Sequence, residues 1–240
     1  MNNVKIIYRI SDVGYNKIKP SYVNNENCLS NAIKVFPFEK YDWSIIADNV
    51  SEKTINMMLK YVPSECISYV SVGNGTGTFN LALDEALQYD EKGIVYFLEN
   101  DYIHRPNSDK VLLEGFEIGG DYVSLYDHLD KYIPASRGGN KLIEDDGGEF
   151  TKVYLSESCH WKLTNSATMT FASTVSNLKD DEDILRRWTN VGNYPRDFDM
   201  FMELREKGKS LLSPIPGYST HGETDWLSPL INWEEVWSQS

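Results

Sequence analysis

The chain has 240 residues, 41% of them hydrophobic and 12% aromatic, which is enough to bury a sizeable core. Its net charge of −13 excludes a broad nucleic-acid-binding face, which needs clustered Lys and Arg, so no nucleic-acid partner is expected. No apolar run approaches the roughly 20 residues of a membrane span, so no transmembrane segment is expected either. Cys28, Cys66 and Cys159 are far apart and odd in number, with neither disulfide-framework nor zinc spacing. A reducing, cytoplasmic setting is the natural expectation, and "MNNVKIIYRIS" lacks the basic flank and long apolar stretch of a signal peptide.

In chain order, "VKIIYRI" (4–10) predicts a buried strand and "NCLSNAIKVF" (27–36) a helix with Leu29, Ile33 and Phe36 on one face. "WSIIADN" (43–49) predicts a second strand, and Ser51 would cap a helix over 51–62. "CISYVSV" (66–72) predicts a third strand, "TFNLALDEALQ" (78–88) a third helix and "GIVYFLE" (93–99) a fourth strand. Four strand–helix alternations predict a largely parallel sheet covered by helices. Ligands of such sheets sit at the carboxyl ends of the strands. Those ends carry Arg9 to Asp12, Asp48-Asn49, Gly73-Asn74-Gly75 and Glu99-Asn100-Asp101, four polar clusters on one edge.

The second half is less regular. Helices are predicted over 108–119, 180–191 and 197–208, a strand over 121–127 and a Gly-rich loop over 135–150. "TKVYLSES" and "SATMTFAS" are Thr- and aromatic-rich and are expected to pair. The tail carries three of the six tryptophans and is expected to wrap the body of the protein.

Glu99 and Asp101 share a side of their strand and would repel each other unless a cation lies between them. They are either a solvent-facing strand end or a divalent-metal site, since hard oxygen ligands suit Mg²⁺ or Mn²⁺. The glycines of "SVGNGTGTFNLAL" (71–83) precede a helix whose N-terminus would favour an anion, although the pattern is neither G-x-G-x-x-G nor a P-loop. His221, in a Pro- and Gly-stiffened tail, would fold back over the sheet edge as a metal ligand, and His104 competes for that role. Trp161, beside His160, offers a flat face for a sugar. In "DDEDILRR", Asp181 or Asp183 would serve as a general base if it points into the cleft; otherwise the stretch is a solvated helix start.

Together these residues resemble a glycosyltransferase of the GT-A fold, over essentially the whole chain. "ENDYI" lies where such enzymes carry a D-x-D-type metal motif, with Glu in place of the first Asp, which makes Asp101 the better ligand. "PGYSTHGETDWLSPLINW" and "IIYRISDVGYNKIKP" resemble segments of small glycosyltransferases of large DNA viruses, the chlorella-virus type, and some microbes. "DDEDILRR" is similar to the E-D-x-D-L-x-x-R signature of inverting polysaccharide synthases, with Asp180 in place of its Glu. The resemblance implies an α/β fold with a mixed, mainly parallel sheet flanked by helices, in one domain over 1–240. Residues 1–101 would be the nucleotide-sugar-binding half, and 102–240 the acceptor-binding half with its wrapping segment. It implies Mn²⁺ or Mg²⁺ held by Asp101, His221 and Glu99. Arg9, Asp12, Asp48, Asn74, Gly75 and Asn100 would hold a UDP- or GDP-linked sugar. His160 and Trp161 would face the acceptor, and Asp181, with Asp183, would supply the base. The implied reaction is metal-dependent transfer of a sugar to a glycan hydroxyl, on a viral structural glycoprotein and in a host-cell cytoplasm if the chain is viral.

Two other readings stand beside it. A sugar nucleotidyltransferase also uses acidic metal ligands on such a sheet, but "RISDVGYNKIKP" poorly matches the Gly-rich basic loop expected after its first strand. A nucleotide-sugar-binding module without turnover would carry the altered "END" motif equally well.

Overall fold

The structure is a computed structural model that describes residues 3–13, 17–145 and 147–239. Residues 14–16 of the amino-terminal stretch quoted above and residue 146 of the Gly-rich loop lie outside the described residues. The first hundred residues alternate as the sequence predicts: β1 (Val4–Ser11), α1 (Asn25–Val35), β2 (Asp42–Asp48), α2 (Glu52–Met58), β3 (Ile67–Val70), α3 (Gly75–Ala86) and β4 (Ile94–Glu99). The strands are parallel and side by side in the order β3-β2-β1-β4.

Alternation divides the strand residues between two cores. Ile6, Tyr8, Ile10, Ile45, Tyr96 and Leu98 face the side covered by α1 and α2. Ile7, Ile46, Val95 and Phe97 face the side covered by Phe79, Ala82 and Leu83 of α3. Burial on both faces is why these strands read as continuous apolar runs. Side-chain caps fix the helix starts: Asn24 accepts from the Asn27 N–H, Ser51 from Thr54 and Asn74 from Gly77. The Asn74 cap starts α3 at Gly75, four residues before Phe79, where the apolar stripe begins.

Beyond β4 the chain forms β5 (Tyr102–His104), α4 (Ser108–Glu117), β6 (Tyr122–Val123), β7 (Val153–Leu155), β8 (His160–Leu163) and β9 (Phe171–Thr174). It continues as α5 (Val175–Asp180), α6 (Glu182–Thr189), α7 (Asp197–Glu206), β10 (Leu211–Ile215), β11 (Ser219–His221) and α8 (Trp233–Ser238). Among the described residues the main sheet has nine strands, ordered β3-β2-β1-β4-β9-β6-β10-β8-β7, with β5 and β11 as a separate antiparallel pair.

The expected pairing of "TKVYLSES" with "SATMTFAS" does not occur. β7 pairs with β8 at the sheet margin, whereas β9 inserts between β4 and β6. Burial explains the separation: Phe171 and Ala172 of β9 are fully buried, while Val153 and Leu155 of β7 are exposed. β9 also runs antiparallel to β4, with Thr174 opposite Ile94. The chain therefore leaves β9 at the edge opposite the carboxyl ends of β1–β4. In the tail, Trp233 packs on Val23, Cys28 and Ile103. None of the described helices is long and apolar enough to cross a membrane.

Candidate functional site

A cleft of about 1400 Å³ lies across the carboxyl ends of β1–β4. All four polar clusters reach it. Its walls carry Arg9, Lys17, Lys19, Lys53 and Lys60 against Asp12, Glu26, Asp48, Glu99 and Asp101, so its charge is locally balanced in a strongly acidic protein. Asn193 and Tyr194, beyond the carboxyl end of α6, close the far rim.

Arg9, 5% exposed at the end of β1, forms the floor. One guanidinium nitrogen donates to the Gly75 carbonyl and the Thr78 hydroxyl, at 3.2 and 3.3 Å. The other donates to Glu99 Oε1 at 2.8 Å. Burial pushes the Glu99 carboxyl above its ordinary range, with Arg9 pulling it down and Asp101 pushing it further up. Glu99 thus faces the cleft, but as the partner of Arg9.

Asp101 lies just past β4 and meets two groups from distant parts of the chain. Its Oδ2 accepts from Lys19 Nζ at 2.9 Å and is 3.3 Å from His221 Nε2. Burial works to raise the Asp101 carboxyl, but His221 and then Lys19 hold it well below the usual carboxylate range. Pairing of β11 with β5 sets His221 opposite Tyr102 and so fixes the meeting. Lys17 Nζ is 3.2 Å from the same His221 Nε2 and 3.5 Å from Glu223 Oε2. The pairing of Asp101 with His221 is the one the sequence led us to expect; both lysines were missed. Their only signal was their place, shortly after a strand that ends at the cleft.

The wall beside α1 and α2 is built around Asp12. Its carboxylate accepts from the Ser51 N–H and the Thr54 hydroxyl at 2.6 Å each, and from Asn25 Nδ2 at 3.1 Å. Burial opposes ionisation, but the Ser51 and Thr54 bonds outweigh it and lower the Asp12 pKa. Asn100 donates to Asn25 Oδ1 and to the Ser11 carbonyl. Asp48 also lines the cleft, but its carboxylate is engaged by the backbone. It accepts from Val72 N–H at 2.6 Å and from Gly73 N–H at 2.9 Å. These bonds hold Gly73 at φ +79°, a conformation that favours glycine. Gly77 is required for close approach, since a Cβ there would fall 2.2 Å from Val72 Cγ1.

Several expected residues lie elsewhere. Asp181 is buried at the opposite edge of the sheet, where Tyr122 donates to it at 2.8 Å and Lys209 lies 3.7 Å away. The direction of β9 puts it there. Asp183 is exposed on α6 and pairs with Arg187 and Lys207. Neither lines the cleft. Trp161 is fully buried against Gly115, its indole N–H on Ser156 Oγ, so it offers no face to a sugar. His160 is exposed on β8, away from the cleft. His104 is fully buried, and burial drives its pKa down to about 3; it shares a 2.9 Å hydrogen bond with Tyr96 and does not line the cleft.

No protein-family model matches the chain, and no curated protein matches it by sequence. Among solved structures it is similar to GalNAc-T7 with UDP, GalNAc and Mn²⁺, at TM-score 0.58 and 10% identity, covering 92% of this chain and 44% of that one. The bifunctional IspDF from Campylobacter jejuni aligns at TM-score 0.44 and 12% identity, covering 88% of this chain and 49% of that one. The chain thus spans less than half the length of either neighbour. The fold is a GT-A-like α/β arrangement, a large central sheet flanked by helices.

Proposed function

We propose that the chain is a glycosyltransferase that binds a nucleoside-diphosphate sugar in this cleft and transfers the sugar to a hydroxyl of a glycan acceptor. The observation that carries this is the Asp101–His221 pair, met by Lys17 and Lys19, at the carboxyl ends of parallel strands in a GT-A-like sheet. The nucleoside lies between the Asp12 wall and the 72–75 turn, with Asn74, Gly75 and Asn100 at its ribose side. The diphosphate reaches Lys17 and Lys19, which neutralise it. Arg9 holds Glu99 and the start of α3 as a rigid floor. Residues 1–101 serve the donor and 102–240 the acceptor, with His221 returning to the donor site. The acceptor proposed from the resemblance of the two segments to viral enzymes is a glycan on a viral structural protein, and the donor's nucleotide is proposed as UDP or GDP.

Mn²⁺ or Mg²⁺ fits the donor set. A carboxylate oxygen and an imidazole nitrogen 3.3 Å apart are close to the ~3 Å spacing of adjacent ligands around an ion with bonds of about 2.1 Å. Among the described residues no group of three His, Cys, Asp or Glu is placed to hold a metal. Diphosphate oxygens and water would complete the shell, as Mg²⁺ usually requires. When bound, the ion supplies positive charge against the leaving diphosphate.

Thermal unfolding against nucleoside diphosphates and nucleotide sugars, with and without Mn²⁺, tests the proposal. A ligand at ~100 times its dissociation constant adds about 2.7 kcal/mol, a rise of roughly 5–10 °C for a chain of this size. A Mn²⁺-dependent rise with one nucleotide class, followed by release of nucleoside diphosphate on turnover, is expected. No rise with any of them refutes the donor site; pyrophosphate as product identifies a nucleotidyltransferase.

A further inference from the structure

The Asp101–His221 pair does not end the row of polar and aromatic groups on this edge. The segment after β6 runs beside β11, with the Tyr218 and Ser219 N–H groups donating to the Leu125 carbonyl. This seats the Tyr126 ring 6.3 Å from His221 and 5.8 Å from Tyr102, centroid to centroid. On its other side Tyr126 meets His128 at 4.9 Å, and His128 meets Trp226 at 5.4 Å. The Tyr126 hydroxyl donates to the Trp226 carbonyl and ties the two segments together. His128 Nδ1 lies 3.1 Å from the Asp130 backbone nitrogen and 3.0 Å from Asp130 Oδ1, contacts that set the ring's orientation. Its Nε2 makes no hydrogen bond among the described residues, and the His128 side chain and Trp226 indole are both partly exposed.

We propose that His128 and Trp226 form a sugar-binding subsite, the place of the acceptor. An indole that keeps part of its surface open is a platform for the apolar face of a pyranose. An imidazole nitrogen oriented through its opposite nitrogen and left without a protein partner is a group that a sugar hydroxyl satisfies. His128 lies one aromatic ring beyond His221 and Trp226 lies two, outside the cleft lining, so the subsite would adjoin the donor site across the buried Tyr126 ring. It takes the part the sequence assigned to His160 and Trp161. The proposal rests on the donor site argued above.

The test uses the whole chain, the nucleoside diphosphate that binds best, and free hexoses, pentoses and deoxyhexoses as probes. The Trp226 indole N–H resonance is assigned by its loss in Trp226→Phe. At least one sugar is expected to shift it, and Trp226→Ala to weaken that sugar at least tenfold with nucleotide affinity unchanged. Trp226→Phe should recover much of the loss, as stacking requires and a structural role does not. His128→Asn keeps an acceptor for the Asp130 N–H but removes Nε2, and should also weaken the sugar. A resonance unmoved by every sugar, or sugar affinity unchanged in both variants, overturns the subsite. A nucleotide that fails to bind the unmodified chain instead refutes the donor site.

Discussion

Asp48 separates two accounts of the cleft. If it reads the nucleobase, its loss should weaken the nucleotide and leave the protein's stability alone. The hydrogen bonds say otherwise: Asp48 is 3% exposed, and its carboxylate is occupied by the Val72 and Gly73 N–H groups and by Asn49. Asp48→Ala removes the acceptor of both backbone N–H groups at once. Val72 is only partly buried and Gly73 is exposed, so water recovers part of the loss. We take the net cost as about that of one charge-assisted bond, ~1–3 kcal/mol. For a chain of this size that lowers the unfolding midpoint by roughly 2–12 °C. Hydrogen exchange at residues 71–77 should rise with it, because the turn has lost its anchor. Nucleotide affinity should fall as a consequence, through a loosened wall. Scanning calorimetry gives the midpoint, titration calorimetry the affinity, and mass spectrometry the exchange. An unchanged midpoint with nucleotide binding abolished would refute this reasoning and place Asp48 in direct contact with the nucleotide.

His221→Ala should eliminate the Mn²⁺-dependent part of any nucleotide-induced stabilisation; a variant that keeps the full Mn²⁺ effect removes His221 from the cation site. Asp181→Asn should transfer sugar at the normal rate, since Asp181 sits at the opposite sheet edge, and should lose about 1 kcal/mol or less because Asn still accepts from Tyr122. Abolished turnover in a folded Asp181→Asn protein, measured by nucleoside diphosphate release, would contradict the placement. His104 is held neutral, with its folded pKa about 3 against an ordinary 6.5. Its burial is harmless above pH 6.5, and stability is lost as pH falls from there towards 3, at up to ~1.4 kcal/mol per unit. Replacing it by Asn should flatten that part of the stability–pH curve, and an unchanged slope would show that the ring is already charged.

The first hundred residues were legible because their strands are buried on both faces. Runs such as Ile6–Ile10 and Val95–Leu98 then read as strands whatever their register, and where each run ends names the cleft edge. Order along the chain did the rest, since parallel strands must all end on one side. The second half broke that logic at β9. A single antiparallel strand sends α5 and Asp181 to the far edge, and nothing local in "SATMTFAS" announces its direction. Trp161 failed for a related reason. An indole beside a histidine reads the same whether it faces solvent or packs on a helix glycine, and Gly115 decides the matter from 46 positions away in the chain. His128 was overlooked because its neighbours Tyr126 and Trp226 come together only through the pairing of distant segments.

The lysines at Asp101 would also let so acidic a chain accept the doubly charged donor proposed above. Among the described residues five cations and five anions line the cleft, so the surplus of negative charge lies on the rest of the molecule. Screening confines that surplus: at physiological salt its influence fades over about 8 Å, whereas Lys19 and Lys17 stand within contact distance of the site. Local arrangement therefore outweighs net charge where the diphosphate would bind. It also sets an order of competition. Lys19 and a divalent ion seek the same carboxylate oxygen, and Lys17 the same imidazole nitrogen. A metal held by Asp101 and His221 would need the ammonium groups to move away, and a diphosphate would offer them a partner. Cation and nucleotide should consequently bind each more tightly in the presence of the other, a coupling built into which atoms the lysines hold.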